Sequence, residues 1–473
     1  MRRRALFPLA VLLVTAGCGS SASPAAEPSP AAAPSSPAGG CPGERAQPDP
    51  DRPVVALDFS LADDLRTVTG TETVVFTPDL PTDELVFRLV PNGPGSADLG
   101  NQLTVDAVRG EAVGGGGGGG YESAQAAAPG GLYVVPLAGR LAAGESTEVQ
   151  LAFTLRLGDG GFERLGTSAD VSWWASGAPL LAWEPGVGWA RDPFVALTGE
   201  TAVSPASDTT ISVDAPAGLT VLMTGDQDEP TRERGGRRTW TSSEPAARDV
   251  SVAVGLFTTA ETQADGVRIT AGVLPGARRD PARLARVAGE AIERLSARFG
   301  PFPYATLTVP WLPDFGGGIE YPSSILLAST QERVLVHEVA HMWFYGMVGD
   351  SQFRDPWLDE AFASYAESVT GEPPAAQVAG LLGTDGDVGG SMASFPDDRR
   401  YGTAVYGKGA AMLLTARQQA GAEAFDAALR CYVDAQAWTI ATPADVGTAL
   451  AGLPAALTVL QQAGALDPED LPG

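Results

Sequence analysis

From residue 54 to about residue 259 the chain alternates apolar and polar positions in short runs, such as 67–76 and 209–213, broken by Gly and Pro. Alternation with period two places one set of side chains on each face of a strand, so this stretch predicts an all-β unit. Beyond it the period lengthens. Asp280 stands where an N-cap belongs and Pro281 suits the first helical position. Leu284, Val287, Ala291, Ile292, Leu295 and Phe299 then share one face until Gly300 and Pro301 stop the run. Strand-like segments at 307–312 and 325–327 flank a glycine turn at 316–318, and helical patterns continue from there to the C-terminus. Residues 19–53 carry neither period. They are mostly Ala, Pro, Ser and Gly, with too few large apolar groups for a core, and read as a linker.

A length of 473 residues suits two packed units with appendages. Arg2, Arg3 and Arg4 followed by the apolar run 5–14 read as an export leader too short to span a bilayer. Its end, Thr15-Ala16-Gly17-Cys18, resembles a bacterial lipobox, although Thr15 replaces the usual leucine. The expectation is an exported protein held on the outer face of the membrane by a lipid on Cys18, or otherwise secreted. Cys41 and Cys431 remain as a candidate disulfide pair. The net charge of −26, with Lys408 as the single lysine, excludes nucleic acid as a partner, because phosphate binding needs a basic surface. The glycine run 114–120 lacks the Lys-Ser/Thr ending of a phosphate loop and reads as a plain loop. Trp173, Trp174, Trp183 and Trp189 read as core or seam residues rather than a ligand platform.

The chemistry concentrates in His337-Glu338-Val339-Ala340-His341, inside a stretch (331–347) with helical spacing. Residues four apart on a helix face the same way, about 6 Å apart along the axis, so two imidazoles can reach one cation. Histidine occurs only twice in the chain, and both copies fall here. Zinc takes imidazole and carboxylate ligands and, in catalytic sites, keeps one position for water. Glu360 follows His341 on a second helix that Asp355 can cap and Pro356 can start, and it supplies the third ligand. Glu338, between the histidines, is placed to take a proton from water.

The stretch 337–367, with Trp357-Leu358-Asp359-Glu360 leading into the third ligand, resembles the gluzincin metallopeptidases typified by aminopeptidase N and the leukotriene hydrolases. Ala361 departs from that pattern, which usually has glycine. Gly317-Gly318-Ile319-Glu320-Tyr321 is similar to the family's Gly-x-Met-Glu-Asn segment, with Tyr321 in place of the asparagine. This implies that Glu320 binds the substrate's free amino group, with Gly317 and Gly318 beside it. Val405-Tyr406-Gly407-Lys408-Gly409-Ala410 is similar to the family's Tyr-x-Lys-Gly-Ala segment, which implies that Tyr406 stabilises the tetrahedral intermediate; Tyr401 is its rival.

The resemblance implies a multi-domain α+β chain. A leader (1–18) and linker (19–53) precede a saddle-like all-β domain (54–259) and a thermolysin-like, mainly helical catalytic domain of mixed α/β structure (260–473). The expected function is a zinc metallopeptidase acting on peptides, an aminopeptidase by resemblance, with one Zn2+ per chain and no obligate protein partner. An endopeptidase using the same zinc site, and a surface lipoprotein that holds zinc without catalysis, are the alternatives.

Overall fold

The computed structural model describes residues 44–472 apart from 115–117, 162, 169, 200–201, 314–316, 372 and 374. The leader with Cys18, most of the linker with Cys41, and Gly316 of the expected glycine turn therefore lie outside the described residues. Among the described residues, no helix is long and apolar enough to cross a membrane.

The alternating stretch forms sheets. The widest has seven strands in the order Asp226–Gln227, Arg237–Ala247, Ser207–Pro216, Val54–Leu61, Thr67–Phe76, Thr147–Arg156 and Gln102–Arg109. Val54–Leu61 pairs in parallel with Ser207–Pro216 and antiparallel with Thr67–Phe76. In Thr67–Phe76 every second residue is buried, and Val68, Val74 and Phe76 enter the core, which is the periodicity the sequence carried. Two four-stranded sheets, one containing Thr82–Arg88 and Leu132–Leu141, the other Ser251–Gly255 and Val171–Ala175, and a two-stranded pair, Trp183–Glu184 with Gly188–Trp189, also lie in this half. A short helix, Pro94–Asp98, interrupts the β pattern.

The following half is built on a five-stranded mixed sheet ordered Thr258–Ala264, Val267–Val273, Thr306–Pro310, Ser324–Leu327 and Gly318–Tyr321. The last of these is an edge strand, antiparallel to its neighbour, with Gly318 opposite Leu327. Helix Pro281–Phe299 packs its apolar face on this sheet. It starts as expected, with the Asp280 side chain accepting from Ala282 N, and ends at Gly300, whose φ of 94° suits a residue without Cβ. Helices then dominate to the C-terminus.

One apolar cluster joins the halves: Val171, Trp173 and Phe257 meet Leu312, Ile319, Tyr321 and Leu326. Trp173 thus fills a seam, while Trp174 sits in the β core against Phe59. Polar staples reinforce the seam. The buried Arg248 guanidinium donates to the carbonyls of Ser204 (3.0 Å), Tyr345 (3.1 Å), Met347 (3.3 Å) and Thr439. A Cβ on Gly349 would lie 2.3 Å from that guanidinium, so the close approach requires glycine. Arg354, just before the Glu360 helix, pairs with Glu184 of the β half.

The end of the expected linker is not loose. Arg45 donates to Asp434 (2.9 Å) and to the carbonyl of Pro301 (2.8 Å), and Ala46 N donates to Asp434 O. These are polar contacts, which an apolar pattern does not register. Cys431, on the helix Ala422–Ala435 that also carries Asp434, is disulfide-bonded.

Candidate metal centre

The periodic stretch 331–347 is helical only over Glu332–Ala340; His341 is the C-cap. The chain then turns tightly, and Tyr345 takes a φ of 103°. Apolar spacing runs on through this turn, but Arg248 captures the carbonyls of Tyr345 and Met347 that a continuing helix would bond internally. His337 and His341 still project together, with ring centroids 4.7 Å apart.

Helix Trp357–Gly371 packs beside this one, and Glu360 N donates to Pro356 O at 3.1 Å, so Pro356 opens its first turn. Glu360 Oε2 then lies 3.2 Å from His337 Nε2 and 3.5 Å from His341 Nε2. Ligand atoms of these three residues fall within 4.8 Å of one another, close enough to hold one metal ion. Glu320, Glu338 and His341 form a second such group, so the two sets meet at His341.

The edge strand positions Glu320 by its pleat. Ile319 and Tyr321 point into the seam, which explains Tyr321 as a packing residue. Gly318 and Glu320 point the other way. A Cβ on Gly318 would lie 2.5 Å from the Glu338 carboxyl, so the strand passes against Glu338 only because residue 318 has no side chain. Glu320 Oε2 is 4.0 Å from His341 Nε2. Gly317 O accepts from Ala328 N at 2.8 Å, which closes the strand pair at its end.

Tyr406 lies on the π-helical segment Gly402–Lys408, a form that concentrates at functional sites. Its hydroxyl donates to Glu360 Oε1 at 2.5 Å, and its ring stacks on His337. Tyr401, the rival, packs edge-on against Tyr406 at 5.7 Å, one layer further from the histidines. Lys408 is buried and donates to Gly386 O at 2.6 Å, tying the end of the π-helical segment to that loop.

Two carboxylates escaped the sequence reading. Asp359 Oδ1 touches His341 Nδ1, and its Oδ2 accepts from Gln352 Nε2 at 3.2 Å. Glu367 Oε2 lies 3.7 Å from His337 Nδ1. The available signal was spacing: Glu367 falls two helical turns after Glu360, on the same face. Such contacts orient imidazoles so that Nε2 faces a metal.

The electrostatics suit a cation. Burial pulls the His341 imidazole down, but the Glu320 and Asp359 carboxylates outweigh it and hold it well above its usual value. Burial also opposes charge on His337, and the Glu360 hydrogen bond again overcomes it. For Glu360 burial raises the pKa, yet its hydrogen bond with His337 and the closeness of both imidazoles drive it well below the usual carboxylate range. Burial pushes Glu338 up, with the imidazoles only partly offsetting it. Excess carboxylate thus leans on two imidazoles for positive charge, and His341 Nε2 and Glu338 Oε2 are buried without a hydrogen bond among the described residues. A dication held by His337, His341 and Glu360 fits that imbalance.

No family model matches the chain. Among curated proteins it is similar to aminopeptidase N of the dog (Canis lupus familiaris), 35% identical over 100 residues, 17% of this chain and 10% of that protein. It is also similar to aminopeptidase M1-A of rice, 27% identical over 242 residues, 42% of this chain and 27% of that protein. The matches therefore take in about a quarter of these relatives' length at most. Among solved structures it is similar to an M1 zinc metallopeptidase from Deinococcus radiodurans, with a TM-score of 0.65 at 21% identity over 91% of this chain and 98% of that one. A mutant of an M1 zinc metallopeptidase from the same organism, bound to a Tyr-Ser-Ala substrate, gives a TM-score of 0.67 at 20% identity, covering 88% and 95%.

Proposed function

We propose that this chain, similar over part of its length to aminopeptidases N and M1-A, is a gluzincin and works as a zinc-dependent aminopeptidase removing N-terminal residues from peptides. The observation that carries this reading is the meeting of two potential ligand groups at His341, one able to hold a metal and the other adding Glu338 and Glu320 beside it. In this reading His337, His341 and Glu360 hold one zinc ion. Zinc, when bound, supplies Lewis acidity toward water and the scissile carbonyl. Glu338, kept dry by burial and by Gly318, takes the proton from the attacking water and passes it to the departing amine. Tyr406 donates its hydroxyl hydrogen bond toward the developing oxyanion. Glu320 pairs with the substrate ammonium, with the Gly317 and Gly318 backbone alongside.

The same reading takes the β half (54–259) as the family's saddle and residues 260–473 as its thermolysin-like catalytic domain. It takes 1–18 and 19–53 as leader and linker, with Cys18 lipidated and the enzyme on the outer membrane face. Cys18→Ser should then move the protein from the membrane to the soluble fraction. For the activity itself, a free-amine peptide and its N-acetylated twin are compared on zinc-loaded protein, with a chelator control and with Glu338→Gln. Cleavage of the free amine alone is expected. Equal cleavage of both would replace the aminopeptidase with an endopeptidase, and cleavage of neither would leave a zinc-holding lipoprotein.

A further inference from the structure

A groove of about 250 Å³ opens beside the start of the histidine helix. Leu284, Val287, Trp311, Leu327 and Leu335 line it with apolar surface, and Arg278, Arg279 and Arg283 stand among its walls. Three arginines within six residues are notable in a chain with a net charge of −26. Two carboxylates share the groove, and both are engaged. Glu332 pairs with Arg283 at 3.1 Å, and Asp280 caps the helix that begins at Pro281. Arg279 lies over the Trp311 ring, 4.8 Å from its centroid, which holds the guanidinium against the wall. Arg278 makes no ion pair among the described residues. The groove therefore carries uncompensated positive charge above an apolar floor.

Its wall is continuous with the metal centre. Leu327 pairs with Gly318, the residue that abuts the Glu338 carboxyl. Residues 329–331 lead from there into the histidine helix, and Glu332 precedes His337 by five residues, about 7.5 Å along the axis. Glu320 lies two residues from Gly318 in the opposite direction, about 7 Å along the strand. In the aminopeptidase reading, a peptide whose amine sits at Glu320 and whose first bond sits at Glu338 would run on past Gly318 toward the groove. At about 3.3 Å per residue of extended chain, its second to fourth residues beyond the cleaved bond would lie roughly 7–13 Å on from it.

We infer that this groove holds the departing portion of the peptide and that Arg278 and Arg279 read a carboxylate there. That carboxylate is either the C-terminus of a short peptide or an acidic side chain of a longer one. The inference rests on the aminopeptidase reading, and its test separates the two. On zinc-loaded wild type and on the Arg278→Gln/Arg279→Gln double variant, kcat/KM is measured for a tetrapeptide free acid, for its C-terminal amide, and for an amide carrying glutamate at the third position. In wild type the free acid should exceed the amide about fivefold to tenfold at low salt, and the gap should narrow as salt screens the guanidinium groups. An advantage for the internal glutamate would identify the side chain as the source, and an advantage for the free acid alone would identify the terminus. In the double variant the ratios should fall to near one. A wild-type ratio of one, or ratios that survive in the double variant, overturns the inference. An aminoacyl arylamide, which has no downstream peptide, checks the peptidase reading independently in wild type. If it is not cleaved, calorimetric affinity of the zinc-loaded Glu338→Gln protein for free acid against amide decides the groove, and equal affinities overturn it.

Discussion

Helices Pro281–Phe299 and Glu332–Ala340 pack against each other in one core, yet they are made in opposite ways. The first obeys local rules throughout: a side-chain cap at Asp280, proline at its first position, an apolar stripe and a glycine stop. The second is nine residues long, has no side-chain cap, and breaks just where its second histidine sits. What holds it is tertiary. Arg248 from the β half takes the carbonyls beyond the break, Gly318 presses on Glu338, and Asp359 and Glu367 seat the imidazoles. Short helices are marginal by themselves, so this one can be shaped by what surrounds it. The contrast teaches that the site-bearing element is stabilised from outside while the scaffold helix stabilises itself.

Four substitutions test that contrast. Glu338→Gln should lower kcat about a thousandfold while leaving the circular-dichroism melt in place; near-normal turnover would remove the glutamate from the mechanism. Arg248→Met takes a donor from four carbonyls, of which those of Met347 and Thr439 keep a backbone N–H, and should cost about 3 kcal/mol, read from the urea midpoint. If instead the midpoint holds, the histidine helix does not depend on the seam. Asp359→Ala should weaken zinc binding about tenfold to a hundredfold in a chelator competition, with little change in the melt. Unchanged affinity would reduce Asp359 to a packing contact. Asp280→Ala, on the self-sufficient helix, should cost only about 1 kcal/mol and leave zinc affinity untouched. A loss of metal there would show that the two helices are not independent.

The same contrast marks what could be read from residues alone. Strand Thr67–Phe76 and the ends of helix Pro281–Phe299 follow from alternation, capping and glycine, all local properties. The convergence of His337, His341 and Glu360 was legible because helical spacing and a rare residue type coincide there. The break after Ala340 was not legible, since apolar spacing continues through it and its cause, Arg248, lies in the other half of the chain. Asp359 and Glu367 were passed over because a carboxylate on a helix looks the same whether it faces solvent or an imidazole. The π-helical turn bearing Tyr406 has no periodic signature of its own, and the arginine groove depends on a helix start, a strand end and a loop meeting in space.

The contacts of Arg45 carry a mechanical consequence. Arg45 grips Asp434 and the Pro301 carbonyl, so the chain makes its first described attachment on the helical half before it enters the β-sheets. Tension on the preceding segment would load the helix Ala422–Ala435 first, and the sheets of the β half would feel it only after that grip failed. Once the Cys431 disulfide on the same helix is reduced, residue 45 thus acts as a strain relief, and single-molecule pulling of the reduced protein from the N-terminus should show it as an early, low-force event that Arg45→Ala removes.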